Sequence, residues 1–216
     1  MAHYVDRRIA LNVIAIIDYG VGNLFSLCSS LKYIGYKAVI TGDKEAIKNY
    51  DKLLLPGVGA YADAMRKLHI GGLDEFVTQE AKNGKPLLGV CLGMQLLFDR
   101  SFEFGEHKGL GLLRGDIMPI KPRIPQEYKT PHIGWNALIF PKDKKPPLFK
   151  YINEGDYVYF VHSFHAEQCE DSITATTEYG AKLTAAVANG SIYGTQFHPE
   201  KSGEVGLNIL RAFAEL

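Results

Sequence analysis

The sequence predicts an α/β fold: an open, mostly parallel, doubly wound sheet flanked by helices, with additional antiparallel strands in the C-terminal half. Short β-branched runs alternate with amphipathic runs over the first half, a pattern typical of parallel strands joined by helices. In the second half, short strand-like pieces are separated by glycine, proline and charged turns. With 216 residues, 46% of them hydrophobic, the chain can bury one sizeable core.

The first half contains four predicted strands. Residues 12–17 form a continuous β-branched run, which is typical of a strand covered on both faces. Residues 37–41, 52–55 and 86–90 are the next three apolar runs, and helical spacing predicts helices over residues 24–34, 61–68 and 73–83. An amphipathic run over residues 92–100 follows the fourth strand at once and predicts another helix.

The second half contains strand-like pieces at residues 158–162, 173–177, 183–187 and 192–197, then a helix over residues 204–214. We expect these strands to extend the sheet and to add an antiparallel layer. Because no linker, repeat or low-complexity segment divides the chain, residues 12–216 are predicted to form a single domain. Residues 1–11 are predicted to be an N-terminal extension.

The composition excludes several classes of partner. Lys plus Arg and Asp plus Glu both number 24, so no excess positive charge favours nucleic acid or an anionic membrane. No apolar run reaches the roughly 20 residues that a membrane helix needs. The three cysteines lie far apart without metal-ligand or disulfide spacing. This use of cysteine is typical of the reducing cytosol, and we expect a cytoplasmic protein.

Cys91 is the strongest candidate for a catalytic residue. It lies between Gly89 and Gly93, where a predicted strand meets a predicted helix. This arrangement is typical of a nucleophile elbow, in which small neighbours permit a tight turn that exposes the nucleophile. The N–H groups of the following helix would favour the reactive thiolate. The alternative is a buried cysteine that packs as a small hydrophobic residue, but such a position needs no flanking glycines.

His198 and Glu200 are the candidate partners of Cys91. In an open α/β sheet, ligands bind at the carboxyl ends of the strands, and His198 ends the last predicted strand. A histidine there can accept the thiol proton and return it to a leaving amine, and Glu200 can hold the imidazole in the required tautomer. His162 and His165 could instead ligate a metal with Cys91, but clear carboxylate or cysteine partners are missing.

The segment Pro56-Gly57-Val58-Gly59, at the end of the third strand, is a candidate oxyanion hole. Glycines let backbone N–H groups approach a ligand closely, and Leu92 would supply a second N–H just after the nucleophile. Alone, this segment is typical of a plain turn. Together with the two strand ends described above, it completes a site for acyl transfer.

The motifs Gly-Val-Cys-Leu-Gly-Met-Gln and Gln-Phe-His-Pro-Glu resemble those of the class I glutamine amidotransferases, whose triad would here be Cys91, His198 and Glu200. The resemblance covers nearly the whole chain after residue 12. Pro-Gly-Val-Gly, where most of the class has Pro-Gly-Gly, narrows it to the glutaminase subunits of imidazole glycerol phosphate synthase. So do Asp-Tyr-Gly-Val-Gly-Asn, Pro-His-Ile-Gly-Trp-Asn, Tyr-Phe-Val-His-Ser and His-Pro-Glu-Lys-Ser.

The resemblance implies glutamine hydrolysis through a Cys91 thioester, with ammonia passed to a cyclase partner of (β/α)8 barrel fold in a heterodimer. No cofactor or metal is expected for the glutaminase step. The resemblance assigns glutamine binding to Gln95, Tyr159, Ser163 and Phe164. The last two stand where some relatives have threonine and tyrosine. It assigns the cyclase interface to His132, Trp135, Asn136 and Lys201, which could equally be ordinary surface or rim residues.

Three other functions remain possible from the sequence. A glutaminase of the same class could serve an anthranilate or guanylate synthase, although the Pro-Gly-Val-Gly and His-Pro-Glu-Lys-Ser segments argue against it. A cysteine peptidase or γ-glutamyl hydrolase would act without a partner. A binding module without activity would have no reason to keep Cys91, His198 and Glu200 together.

Overall fold

A computed structural model of the chain describes residues 13–141 and 145–216. The predicted extension, residues 1–11, lies outside the described residues. Among those described, no helix is long and apolar enough to cross a membrane. The same residues contain no group of three or more His, Cys, Asp or Glu side chains placed to hold a metal ion.

The first half alternates strands and helices, as the sequence predicts. Strands β1 to β4 are Val13–Ile17, Lys37–Thr41, Lys52–Gly57 and Leu87–Cys91, and helices α1 to α4 are Leu24–Tyr33, Lys44–Lys48, Tyr61–Ile70 and Leu73–Lys82. The sequence pattern does not predict helix α2, because five residues are too few to show a helical period. Its start is nevertheless marked by Asp43, whose side chain accepts a hydrogen bond from the Glu45 N–H.

The second half consists mainly of short strands. After the one-turn helix α5 (Leu92–Gln95) come β5 (Phe98–Ser101), β6 (His107–Lys108), β7 (Leu113–Pro119), β8 (His132–Ala137), β9 (Tyr157–His162), β10 (Phe164–Glu167), β11 (Ile173–Glu178), β12 (Lys182–Asn189) and β13 (Ile192–Thr195). Two 3₁₀ turns, Pro147–Phe149 and Pro199–Lys201, and helix α6 (Gly203–Ala214) complete this half.

The main sheet has seven strands in the order β11-β12-β13-β4-β3-β1-β2. The five strands from β13 to β2 are parallel, and β12 and β11 extend that sheet antiparallel. Strand β4 therefore lies between β3 and β13, with Gly57 opposite Cys91 and Thr195 opposite Val90. This order places the carboxyl ends of β3, β4 and β13 side by side, as the site prediction requires.

The remaining strands form two smaller sheets. One has the order β10-β7-β5-β6, and the other is the antiparallel pair β8-β9. The prediction of additional antiparallel strands in the C-terminal half is therefore confirmed.

The predicted helix over residues 92–100 is wrong after its first turn. Helix α5 ends at Gln95, and the chain continues as β5, which pairs in parallel with β7. The physical reason is burial on all sides, since Leu96, Leu97 and Phe98 have no exposed surface. A continued amphipathic helix would bury only one face, so the chain turns at Leu96 and Leu97 and becomes extended at Phe98, where β5 pairs with β7.

The core has two principal parts, one on each face of the main sheet. Alternate residues of the parallel strands point to opposite faces, so Ala15, Leu53 and Leu87 lie in one hydrophobic cluster and Ile14, Leu54 and Leu88 lie in the other. Cys91 belongs to the second cluster. The side chain of Cys91 is therefore held against the hydrophobic core.

Candidate active site

Cys91 lies in a strained turn between β4 and α5. Its φ of 55° and ψ of −113° fall in a region that residues other than glycine rarely adopt. The flanking glycines are required by space, since a Cβ at Gly89 would lie 2.7 Å from Met94 Cα, and one at Gly93 would overlap the Leu55 carbonyl oxygen. This geometry is that of the predicted nucleophile elbow.

Helix α5 contributes less to the sulfur than the sequence led us to expect. A helix of four residues has a small dipole, because the macrodipole sums over aligned peptide units. What α5 supplies is local, namely the N–H groups of its first turn, beginning with Leu92. Leu92 lines the same cavity as Cys91.

His198 lies just after β13, beyond Gln196 and Phe197, and its backbone N–H donates to the Tyr159 carbonyl at 3.0 Å. Its Nδ1 lies 2.9 Å from Glu200 Oε1, which leaves Nε2 for the sulfur of Cys91. Burial of His198 lowers its pKa, but hydrogen bonds to Cys91 and Glu200 and the charges of both groups outweigh it and raise the pKa to about 9. The imidazole is therefore protonated at neutral pH.

Glu200 orients His198 from inside the protein. Its side chain has no exposed surface, and Pro199–Lys201 forms the 3₁₀ turn that brings it back beside the imidazole. Asn23, at the start of α1, donates from Nδ2 to Glu200 Oε1 at 3.4 Å. The structure thus brings together all three predicted members of the triad.

The predicted oxyanion loop borders the nucleophile. Val58 and Gly59 line the cavity with Leu92 and Cys91. Gly57 is placed differently, because it packs beneath the elbow, where an added Cβ would lie 2.9 Å from Leu92 Cβ. Gly59 has a φ of 90°, which favours glycine, and Val58 is 41% exposed.

Tyr19 supports this loop from below. Its hydroxyl donates to the Pro56 carbonyl at 2.7 Å inside the protein. Burial, and then the charge of Cys91, raise the pKa of Tyr19, so the phenol keeps its proton and remains a donor. No local pattern distinguishes this residue within its glycine-rich segment.

The cavity beside Cys91 has a volume of about 430 Å³. Its lining includes residues from the oxyanion loop, the elbow, the β9–β10 connection and the triad: Val58, Gly59, Cys91, Leu92, Gln95, Glu103, Pro131, Val161, His162, Ser163, Phe164, His198 and Lys201. A larger cavity of about 560 Å³ lies beside α3 and α4 and contains no triad residue. Chemistry rather than size therefore identifies the candidate site.

Three of the four residues predicted to bind glutamine line this cavity, namely Gln95, Ser163 and Phe164. The Gln95 amide nitrogen donates to the Phe164 carbonyl at 3.1 Å and to Gln196 Oε1 at 2.9 Å. Tyr159 is not part of the lining. Its ring packs edge-on against Trp135, with centroids 6.0 Å apart, and lies 5.9 Å from Lys201 Nζ.

Two polar side chains near the sulfur, those of Glu103 and Gln196, are not among the site residues that the sequence predicts. Glu103 lines the cavity, and its Oε2 accepts a hydrogen bond from the Tyr61 N–H at the start of α3. Gln196 is fully buried, and its Nε2 lies 3.7 Å from Cys91 Sγ. Gln196 could have been found from its place two residues before His198, whereas no local pattern marks Glu103.

The residues predicted to contact a partner divide into two groups. Trp135 is 51% exposed, Lys201 is exposed and Asn136 is half-buried. His132 is fully buried, with its ring stacked 4.0 Å from Tyr179 and hydrogen-bonded to Asn136. The prediction that the His132 side chain lies at an interface is therefore corrected: it supports Asn136 from within.

Comparison with known proteins agrees with this geometry. A family model described as "Glutamine amidotransferase class-I" matches residues 15–215. The chain is 49% identical to the "Imidazole glycerol phosphate synthase subunit HisH" of Caldanaerobacter subterraneus subsp. tengcongensis, over 94% of this chain and 98% of that protein. It is 48% identical to the subunit of the same name from Wolinella succinogenes, over 94% of this chain and all of that protein.

Solved structures share the fold at much lower identity. The structure described as PurLQS from Thermotoga maritima superposes with a TM-score of 0.72 at 19% identity, over 95% of this chain and 98% of that one. Another, described as a glutamine amidotransferase, gives a TM-score of 0.72 at 17% identity, over 94% of this chain and 99% of that one. At these identities the likeness concerns the fold alone.

Proposed function

The chain belongs to the class-I glutamine amidotransferase family, and on this basis we propose that it is the glutaminase subunit of an imidazole glycerol phosphate synthase. It hydrolyses L-glutamine to glutamate and ammonia. It then supplies the ammonia to a cyclase subunit, which makes imidazole glycerol phosphate and an aminoimidazole carboxamide ribotide in histidine biosynthesis. The observation that carries the proposal is the assembled triad of Cys91, His198 and Glu200 at the edge of a cavity.

The reaction follows from the placement of the triad. The Cys91 sulfur attacks the side-chain carbonyl carbon of glutamine, and the carbonyl oxygen gains negative charge. His198, protonated at neutral pH, gives its proton to the amide nitrogen, so that ammonia leaves and a glutamyl thioester remains. The neutral imidazole then takes a proton from water as the water attacks the thioester. Glutamate leaves, and the sulfur regains its starting state.

The developing oxyanion needs donors that are fixed before the reaction. Backbone N–H groups of the Gly57–Gly59 segment and of Leu92 fill this role in the proposal. The support is positional, since Val58, Gly59 and Leu92 line the cavity with the nucleophile and Gly57 lies opposite Cys91 in the sheet.

Gln95 and Glu103 are proposed to hold the ammonium group of glutamine. Both hydrogens of the Gln95 amide are used by Phe164 and Gln196, which leaves the Gln95 carbonyl oxygen to accept from a ligand. Glu103 adds a carboxylate to the same lining. Ser163 supplies a hydroxyl and Phe164 an apolar wall, so that the amino-acid end of the substrate is bound at a distance from the sulfur.

The cyclase partner is proposed to have a (β/α)8 barrel fold and to form a heterodimer with this chain in the cytoplasm. Its docking surface includes the aromatic patch, which we define as Trp135, Tyr159 and Lys201. Aromatic residues such as Trp135 and Tyr159 are enriched at protein interfaces, and Trp135 is 51% exposed. Asn136 lies next to this patch, with its amide nitrogen donating to the Glu178 carbonyl.

The test compares glutamine turnover by the chain alone with turnover in the presence of the liganded cyclase. We expect slow hydrolysis alone and strong stimulation by the cyclase, because Val58 adds bulk and a peptide unit to the oxyanion loop and leaves it to be completed by the partner. Equal turnover in both conditions would contradict this proposal. Efficient cleavage of peptides or γ-glutamyl conjugates without a partner would favour the hydrolase alternative.

A second experiment measures glutamine turnover by this chain in the presence of synthase components from other amidotransferases. If the synthase component of an anthranilate or guanylate enzyme stimulates the glutaminase as strongly as the cyclase does, the assignment to histidine biosynthesis fails while glutamine hydrolysis stands.

A further inference from the structure

The reaction described above gives no role to the side chain of Gln196, although this side chain lies beside the sulfur of Cys91. Gln196 lies just beyond β13, has no exposed surface, and its backbone N–H donates to the Ala185 carbonyl at 2.8 Å. A buried side-chain amide is costly unless its polar atoms find partners. The partners of this one are Gln95 and the sulfur of Cys91.

The orientation of the Gln196 amide is fixed by its neighbours. The Phe164 carbonyl can only accept, so the group of Gln95 that faces it at 3.1 Å must be the amide nitrogen. The second hydrogen of that nitrogen points to Gln196 Oε1 at 2.9 Å. The Gln196 nitrogen must therefore face Cys91, because the opposite orientation would place two N–H donors against each other and a carbonyl oxygen against the sulfur.

We propose that Gln196 is a catalytic residue whose side-chain N–H, 3.7 Å from the Cys91 sulfur, stabilises the thiolate that attacks glutamine. This inference rests on the proposed function for its substrate, but the contact with the sulfur does not. A donor favours a thiolate over a thiol, since only the charged sulfur is a strong acceptor. The Val161 carbonyl, 3.9 Å from the same sulfur, has the opposite preference, because it can only accept from a thiol.

Two consecutive hydrogen bonds connect the proposed substrate-binding residue Gln95 to the sulfur of Cys91. Gln95 holds Gln196 by one hydrogen bond, and Gln196 holds the sulfur by the next. A ligand that polarises Gln95 through its carbonyl oxygen strengthens the donation along this series, because hydrogen bonds in a chain reinforce one another.

The test measures the rate of Cys91 alkylation by iodoacetamide as a function of pH, with the full-length chain and mass spectrometry of the Cys91 peptide. Gln196→Met keeps the approximate size of the side chain and removes the donor. We expect alkylation near pH 7 to slow about tenfold and the midpoint of the pH profile to rise by about one unit. Gln196→Leu should shift the midpoint as far, since it also removes the donor and adds no titratable group.

The other titratable groups around the sulfur are the same in all these variants. They are His198 after β13, Tyr19 after β1, and Glu103, His162 and Lys201 in the cavity lining. A change in the midpoint therefore reports the donor rather than another group. Thr195→Val is the matched control, since Thr195 is the preceding residue, is equally buried, and its hydroxyl has no hydrogen-bond partner among the described residues.

Cys169 serves as the control for folding. It is buried, and burial raises the pKa of its thiol to about 11, so its alkylation at neutral pH reports loss of structure. If Gln196→Met exposes Cys169, the comparison is made with Gln196→Leu. The inference is overturned if the folded Gln196 variants give the same midpoint of Cys91 alkylation as the unmodified chain. An equal shift in Thr195→Val also overturns it.

The alkylation experiment separates this inference from the proposed function, because iodoacetamide reacts without glutamine or a cyclase. A chain that fails to hydrolyse glutamine can still show the Gln196 effect. A chain that hydrolyses glutamine but shows unshifted Gln196 profiles contradicts only the inference.

Discussion

The two sides of the catalytic cavity differ in how completely this chain builds them. On one side, Cys91 and His198 are 7% and 2% exposed, and Glu200 is enclosed behind them. On the other, Val58 and Trp135 are 41% and 51% exposed. The triad side is held by the hydrophobic core, whereas the oxyanion loop and the aromatic patch face outward. The candidate triad is therefore enclosed within this chain, and the open side is the one that a partner can reach.

Cys91→Ser would replace the nucleophilic sulfur on the enclosed side of the cavity by a hydroxyl, with little change in side-chain shape. We expect glutamine-dependent synthesis by the assembled complex to fall by about a thousandfold or more, since a serine hydroxyl is a much weaker nucleophile than a thiolate. Synthesis from added ammonia should persist, because the cyclase chemistry does not need the sulfur. Loss of both activities would mean that Cys91 has a structural role.

Glu200→Gln tests whether enclosure of the triad also sets its acid–base behaviour. Removing the carboxylate should lower turnover about 10²- to 10⁴-fold, since the imidazole loses its orientation and its stabilising charge. In the unmodified chain, we expect activity to fall as pH rises through about 9, where His198 loses its proton. In Glu200→Gln this alkaline limb should move to lower pH, which a pH–rate profile would measure.

The raised pKa of His198 also predicts how the stability of the folded chain depends on pH. The pKa of His198 is raised in the folded chain, so its contribution to the free energy of unfolding is full below about pH 6.5 and is lost as pH rises through about 9. Thermal unfolding temperatures should fall over this window in the unmodified chain and less in Glu200→Gln. An identical fall in both proteins would exclude the His198–Glu200 pair as its cause.

Two glycine substitutions compare the packing of the two sides directly. Gly93→Ala should lower the free energy of unfolding by about 3 kcal/mol or more, because its Cβ would overlap the Leu55 carbonyl oxygen. Gly59→Ala should cost about 1 to 2 kcal/mol, from its positive φ alone, since no atom of the described residues lies within 4 Å of the added Cβ. Chemical denaturation of both variants measures the difference, and equal losses would contradict it.

Trp135→Ala tests the open side. We expect stimulation by the cyclase to weaken about tenfold through lost docking area, with unstimulated hydrolysis nearly unchanged, because Trp135 does not line the cavity. Titration of the cyclase into the variant measures this. Phe104→Ala is a matched control, since Phe104 is 91% exposed and lies outside both the patch and the cavity lining. A similar effect in the control would remove the argument for a specific surface.

The sequence predicted the parallel half of the fold well, because fully buried strands and one-sided helices leave clear periodic patterns. It also predicted Cys91, His198 and Glu200 as site residues, since glycine spacing and strand ends are local features, and the structure places the three side chains together. It failed at residues 96–100, because three apolar residues followed by the exposed Asp99 and Arg100 imitate the amphipathic pattern of a helix that continues from α5. It also misplaced His132, because alternation along a strand does not reveal that Tyr179 covers its ring.

The sequence by itself determined the order of the elements and the elbow at Cys91, and it predicted the residues of the triad, because each depends on residues close together in the chain. Only the tertiary structure decided which groups surround the sulfur. Glu103 lines the cavity and Tyr19 supports the Pro56 carbonyl from separate elements, and the Gln196–Cys91 contact joins residues 105 positions apart. Such contacts depend on strand order and register, and those are set by packing over the whole sheet rather than by any local pattern.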